Sequence, residues 1–256
     1  MKKRVLTKIG IIAAVVLIAV GVPLAMGYSK VTGLELVVQY PNESAEDIII
    51  NKQNITYTLA KQYGDFTKYQ RRQIPEDDIK TFLEKMDFID HAVVSVSLSG
   101  VLRVTVMQKM IIVNVYTSKG EHFYIDNKRN IIYPKTDTIT AQCLIANGDF
   151  VNTKKSVIDS TKDKDLEGVY YLANIISQDD VLKQSISAIF KNKDNYILVL
   201  YNEDCSVIIG KKEQWNENLN KLHHLISSPN ADLSLYTSIN LTYHNQAVCT
   251  KPIKEQ

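Results

Sequence analysis

Cysteine is scarce in this chain, three residues in 256, and glycine and proline are scarce too, at 10 and 6. Cys143, Cys205 and Cys249 are scattered, show no CxxC spacing and cannot all pair within one chain. That distribution speaks against a disulfide scaffold. Buried thiols in strands are the expected reading, with one Cys205–Cys249 bridge left open. So little glycine and proline beside a hydrophobic fraction of 45% describes a folding chain without low-complexity segments. An excess of one charge is also missing. Lys and Arg number 30 and Asp and Glu 28, for a net +2; removing Lys2, Lys3, Arg4 and Lys8 leaves 26 − 28 = −2. A nearly neutral body argues against nucleic acid as a partner.

Catalytic constellations are absent as well. His91, His122, His223, His224 and His244 show neither HExxH nor another ligand spacing, and there is no GxSxG elbow, P-loop or GxGxxG. His223 and His224 are neighbours on a predicted helix, so their side chains point apart and do not share a metal. Asp77-Asp78 and Asp179-Asp180 each open a predicted helix, where acids favour the positive end of the dipole. Nothing local activates Cys143 as a nucleophile. Trp215, at helical spacing, reads as core. These absences predict a chain that is no enzyme and takes no cofactor, metal or small-molecule substrate.

What is present begins with Ile9 to Met26, eighteen residues without a charge behind the basic start MKKRVLTK. A helix of that length spans roughly 27 Å, close to a hydrocarbon core of about 30 Å. Lys2, Lys3, Arg4 and Lys8 hold the N-terminus in the cytoplasm by the positive-inside rule, so the rest lies outside. Ala25-Met26-Gly27 would suit cleavage of a signal peptide, but the apolar run is longer than such a peptide needs. An uncleaved, single-pass anchor in the lipid bilayer is expected.

Leu34 to Tyr40 then reads as a strand closed by Pro41-Asn42. Ile55, Leu59 and Tyr63 predict a helix stopped near Gly64, and Asp65 to Gln73 a polar linker. Pro75 at the first helical position opens a second helix with the face Ile79, Phe82, Leu83 and Met86. Ala92 to Leu98 and Leu102 to Val106 alternate around a two-residue Ser99-Gly100 turn, as a hairpin does. The order is β-α-α-β-β over about 75 residues.

The remainder predicts a three-strand meander from Ile111 to Pro134, a short strand at Cys143 to Ala146, and a surface loop from Asn152 to Asp165. Two helices follow, around Leu166 to Ile176 and Asp179 to Ser185. Strands at Ile186 to Phe190, Tyr196 to Tyr201 and Ser206 to Ile209 lead to a helix from Glu213 to Ile226. One last strand runs from Ser238 to Thr250. Lying at the end of the chain, it is a natural sheet edge, open to strand addition by a partner protein.

Five stretches in this order resemble the FtsQ/DivIB family of bitopic division proteins. They are Phe88 to Val94; Gly100 to Lys109, like the family's "G-x-L-x-V-x-V" strand; and Gly120 to Asp126, like "G-x-x-Y-Y-I-D". Val207 to Gly210 with the Trp215 helix and Ile239 to Tyr243, like "I-D-L-R-Y", complete the set. Asn240 and Thr242 depart from the acidic and basic residues of that last strand.

The resemblance implies an α+β chain: a cytoplasmic tail over 1–8, a transmembrane anchor over 9–28 and a POTRA domain over 29–109. A mostly antiparallel β-domain with packed helices follows over 110–250, then a polar tail over 251–256. It implies a divisome scaffold at the septum of the inner membrane, with its C-terminal domains in the periplasm. FtsB and FtsL type coiled-coil proteins would be the partners, and other divisome membrane proteins would meet the anchor and the POTRA domain. The implied contact strand is Ile239, Asn240, Leu241, Thr242, Tyr243, His244, Asn245, Gln246, Ala247 and Val248, with Trp215 at its rim. The competing reading is another POTRA-bearing component of envelope assembly or transport.

Overall fold

The computed structural model describes residues 27–41, 49–134, 143–150, 155–192, 195–201 and 205–252, in two compact units divided after Gln108. The apolar run Ile9 to Met26 lies outside the described residues; among those, no helix is long and apolar enough to cross a membrane.

The first unit contains β1 (Gly33–Gln39), α1 (Lys52–Tyr63), α2 (Glu76–Glu84), β2 (Ile89–Val96) and β3 (Val101–Gln108). Its sheet runs β1-β3-β2, with β1 parallel and β2 antiparallel to the central β3. The β-α-α-β-β order expected from the periodicities is thus observed. Helix α1 starts where the Asn51 side chain accepts from the Gln53 N–H, and ends at Gly64, whose φ of 77° closes the last turn. Pro75 sits one position earlier than expected, at the cap rather than in the first turn, and Glu76, Asp77 and Asp78 occupy that turn. Ile55, Leu59, Ile79 and Leu83 pack over Ala92, Leu102, Val104 and Val106, all essentially inaccessible. Each large aliphatic side chain buried there contributes about 1.5–3 kcal/mol.

Two local features differ from the sequence reading. The segment Asp65 to Gln73 is no loose linker. It forms two short 3-10 turns, buries Phe66, and pairs with the approach to β1 through Val31 N–H to Tyr69 O and Arg71 N–H to Ser29 O, both at 3.0 Å. The hairpin turn has three residues rather than two. Ser97 N–H donates to Val101 O at 2.8 Å and Gly100 N–H to Ser97 O at 3.0 Å, which leaves Leu98, Ser99 and Gly100 in the loop. Gly100 has φ 88°, the left-handed residue such loops use, and Leu98 leaves the apolar stripe for solvent.

The second unit contains β4 (Ile111–Thr117), β5 (His122–Asp126), β6 (Ile131–Ile132), β7 (Leu144–Gly148), α3 (Lys164–Ser177) and α4 (Asp180–Ser185). It continues with β8 (Ile186–Asn192), β9 (Asn195–Leu200), β10 (Ser206–Ile208), α5 (Trp215–Ile226), β11 (Ser238–Asn240) and β12 (Val248–Thr250). One nine-stranded sheet takes the order β12-β11-β10-β9-β8-β7-β4-β5-β6. Five of its pairings are antiparallel and three parallel, so the sheet is mostly antiparallel. Two of the parallel pairs, β7 with β8 and β10 with β11, are those joined by helical crossovers, as parallel neighbours require. Val113, Val115, Phe123, Ala146, Ile189, Leu198, Val207 and Ile239 join the apolar stripes of α3 and α5 in one core. Cys205 lies inside it, Cys143 and Cys249 are half-buried, and no disulfide joins the three.

The last strand corrects the sequence reading. Ser238 to Thr250 is not continuous but two three-residue strands, β11 and β12, folded back antiparallel. The Asn240 side chain accepts from the Thr242 N–H at 3.0 Å and the Thr242 hydroxyl at 2.7 Å, a local turn that competes with the ladder. Asn245, with φ 54°, turns the chain again.

One buried polar side chain ties the first unit together. Gln108 is 3% exposed, and its Oε1 accepts from the N–H groups of Ile49 and Ile50 at 2.8 and 2.9 Å. Gln108→Leu leaves those donors without their acceptor. The expected cost is about 1–3 kcal/mol, read as a lower midpoint of chemical unfolding for this unit; an unchanged midpoint would show that water replaces the bonds freely.

Candidate functional site at the C-terminal sheet edge

A sheet of nine strands has two ends, and this one treats them differently. At the β6 end, residues 156–158 lie alongside: Ile131 N–H donates to Ser156 O at 2.8 Å and Ile158 N–H to Arg129 O at 3.0 Å. That end is covered. At the other end, β12 has β11 as its only strand neighbour among the described residues. Among the described residues no side chain accepts from the N–H groups of Val248, Cys249 or Thr250. Val248 is 43% exposed, and every residue from Tyr243 to Ala247 is exposed. An edge strand of this kind presents unpaired peptide groups to a partner's strand.

The edge is held in place by α5. The Trp215 indole N–H donates to Gly210 O at 2.9 Å, and Asn218 Nδ2 to Ile209 O at 2.9 Å, so the helix is fixed to the chain that leaves β10. Gly210 has φ 73°, and a Cβ there would lie 2.9 Å from Thr242 Cγ2. Glycine is what lets the segment after β11 pack so closely. Leu241 N–H donates to Ile208 O at 3.0 Å. From α5, Lys221 Nζ reaches Glu217 Oε1 at 2.9 Å, Asn218 Oδ1 at 3.0 Å, Tyr243 O at 3.1 Å and Leu241 O at 3.4 Å. One ammonium group thus clamps the start of the exposed loop. The hydrogen bond and charge of Lys221 hold the Glu217 carboxyl below its ordinary range. His244, at the loop tip, lies 4.0 Å from the same carboxylate.

The ten residues predicted for the contact therefore separate into three groups. Ile239 and Leu241 are core side chains with no accessible surface. Asn240 and Thr242 are spent on each other in the turn. Tyr243, His244, Asn245, Gln246 and Ala247 form the exposed loop, and of the ten only Val248 lies on the open edge strand. Cys249 and Thr250 complete that strand; the predicted strand reached them, but the predicted contact stopped short. Trp215 is not at a rim. It is 2% exposed, edge-on to Tyr196 with ring centroids 4.9 Å apart, because its stripe on α5 faces the core. The clamp of Lys221 went unpredicted, although Glu217 and Lys221 at i, i+4 on a helix mark a stabilising pair.

The acid and histidine candidates take structural places. Asp179 caps α4, accepting from Val181 and Leu182 N–H at 3.0 Å, and His223 Nδ1 lies 2.7 Å from its Oδ2. Burial pushes this carboxyl up, but the Leu182 N–H, His223 and the Val181 N–H together outweigh it and hold the group low. His223 and His224 stand nearly perpendicular, 5.7 Å apart, and among the described residues no group of three or more His, Cys, Asp or Glu could hold a metal.

The clamp yields a test. Lys221→Met should speed amide exchange from Tyr243 to Ala247 several-fold while β11, fixed by Ile239 and Leu241, keeps its protection. Because the Glu217 carboxyl is lowered in the folded chain, its pairing contributes above the ordinary glutamate range of about 4.3. The contribution is lost as pH falls through the lowered value. The loop in the wild-type chain should therefore loosen only in acid below that range, and Lys221→Met should remove this pH dependence.

No curated protein matches this chain. A family model described as FtsQ/DivIB, C-terminal related, matches residues 111–250. The match begins with the first residue of β4 and ends with the last of β12, so it spans the whole sheet, its helices and the open edge. With more than half its length matched, and with the five resembling stretches in order along it, the chain belongs to the FtsQ/DivIB family of cell-division proteins.

Proposed function

We propose that this protein is a non-enzymatic scaffold of the division machinery that receives a strand from an FtsB–FtsL type coiled-coil partner at β12. The observation that carries the proposal is the contrast between the covered β6 end of the sheet and the open β12 end. Strand addition needs outward peptide groups and an accessible approach. Leu241 N–H, bonded to Ile208 O, fixes the alternation so that Asn240 and Ser238 face Val248 and Thr250, and Cys249 between them turns its N–H and C=O outward. Tyr243 and Val248, each about half exposed, add apolar surface beside the strand for a partner side chain. Family membership supports a place at the division septum.

In the same proposal Ile9 to Met26 spans the inner membrane with the N-terminus in the cytoplasm. The β-α-α-β-β unit is then a POTRA domain next to the bilayer, and both folded units are periplasmic. The apolar run and its basic flank support that topology.

Removal of the edge strand tests the contact. A chain ending at Ala247 keeps Ile239 and Leu241 in the core, and Cys249→Pro removes the outward strand donor while keeping the length. Each should lower co-purification of the reconstituted FtsB–FtsL type coiled coil at least about tenfold, or 1.4 kcal/mol, with the unfolding midpoint of the sheet near wild type. Undiminished capture by both folded variants would rule β12 out as the contact.

A further inference from the structure

Strand β2 is an edge of the first unit's sheet, and its pairing with β3 decides which of its groups face outward. Val93 lies opposite Thr105 and Ser95 opposite Arg103, and the bond from Ser97 N–H to Val101 O continues that odd-numbered set. Bonded and non-bonded positions alternate in an antiparallel ladder, so Ala92, Val94 and Val96 turn their N–H and C=O groups away from β3. An edge of this kind invites a second strand.

Here the invitation is withdrawn by side chains. Glu84 Oε1 accepts from Ala92 N–H at 3.1 Å, and Glu76 Oε1 accepts from Val96 N–H at 3.1 Å. Arg71 Nη2 reaches the Val96 carbonyl at 3.5 Å. Both glutamates belong to α2. Their separation of eight residues is roughly 12 Å along a helix, and the four residues from Ala92 to Val96 are roughly 13 Å along a strand. The two lengths match, so one helix caps both ends of the edge. His91 Nδ1, 2.7 Å from Glu84 Oε1, holds the nearer carboxylate in position.

We infer that α2 closes the β2 edge, with Glu84 and Glu76 occupying the outward donors of Ala92 and Val96 on either side of Val94, and that this prevents β2 from pairing with the β2 of a second copy of the chain. The exposed Glu76, Asp77 and Asp78 would also meet the same charges on that copy. The closure is independent of what binds at β12, and it leaves β12 as an edge without such caps.

The test compares the full chain in detergent micelles as wild type, E76A/E84A and E76Q/E84Q, by amide exchange at residue resolution and by light scattering. E76A/E84A should exchange Ala92 and Val96 at least about tenfold faster. In about 0.5 M salt, where the screening length is roughly 4–5 Å and the remaining acids repel little, it should form dimers as concentration rises. E76Q/E84Q keeps a side-chain carbonyl acceptor at each position and should stay protected and monomeric. Unchanged exchange at Ala92 and Val96 in E76A/E84A, or a monomer at every concentration, would overturn the closure.

Discussion

Peptide groups at the rim of a sheet have to be paired, capped or left to a partner, and this chain uses all three solutions. Burial drives the formation of each core, but it does not choose between rims. At β6 the neighbouring backbone of residues 156–158 supplies the pairing. At β2, carboxylates from the helix packed on the same strand supply the caps. At β12 the described residues supply neither, and the adjoining loop from Tyr243 to Ala247 is wholly exposed. The proposed scaffold role would need such a difference, because a chain with every rim open would pair with itself.

Helix α5 connects the interior to the open rim. Trp215, Leu219 and Leu222 fasten it to the core, and Asn218 and the indole N–H fasten it to the backbone leaving β10. With its inner face so fixed, its outer turn can aim Lys221 at the two carbonyls that begin the exposed loop. The rim is thus open to partners while its position is set by buried groups, which lowers the ordering entropy a partner would have to overcome.

Much of this was legible in the residues. The alternation of Leu102, Val104 and Val106 and the i, i+3, i+4 spacing of Ile79, Phe82 and Leu83 give β3 and α2 directly, and the acids at Asp77, Asp78 and Asp179 mark helix starts. The misread places are those where one side chain answers another. Asn240 and Thr242 look like two ordinary strand residues, and only their mutual hydrogen bonds end β11. Glu76 and Glu84 look like solvated helix acids until the register of β2 brings Ala92 and Val96 beneath them. Trp215 has the spacing of a core residue, and its burial follows that spacing rather than the rim assigned by resemblance.

Amide exchange of the intact chain, alone and with the coiled-coil partner bound, tests the central claim most directly. Strand addition at β12 predicts slowing of at least about tenfold at the Cys249 amide, a free edge donor taken into a hydrogen bond. Ile131 and Ile132 at the covered end should not change. Saturated partner binding with no slowing at Cys249 would contradict the account.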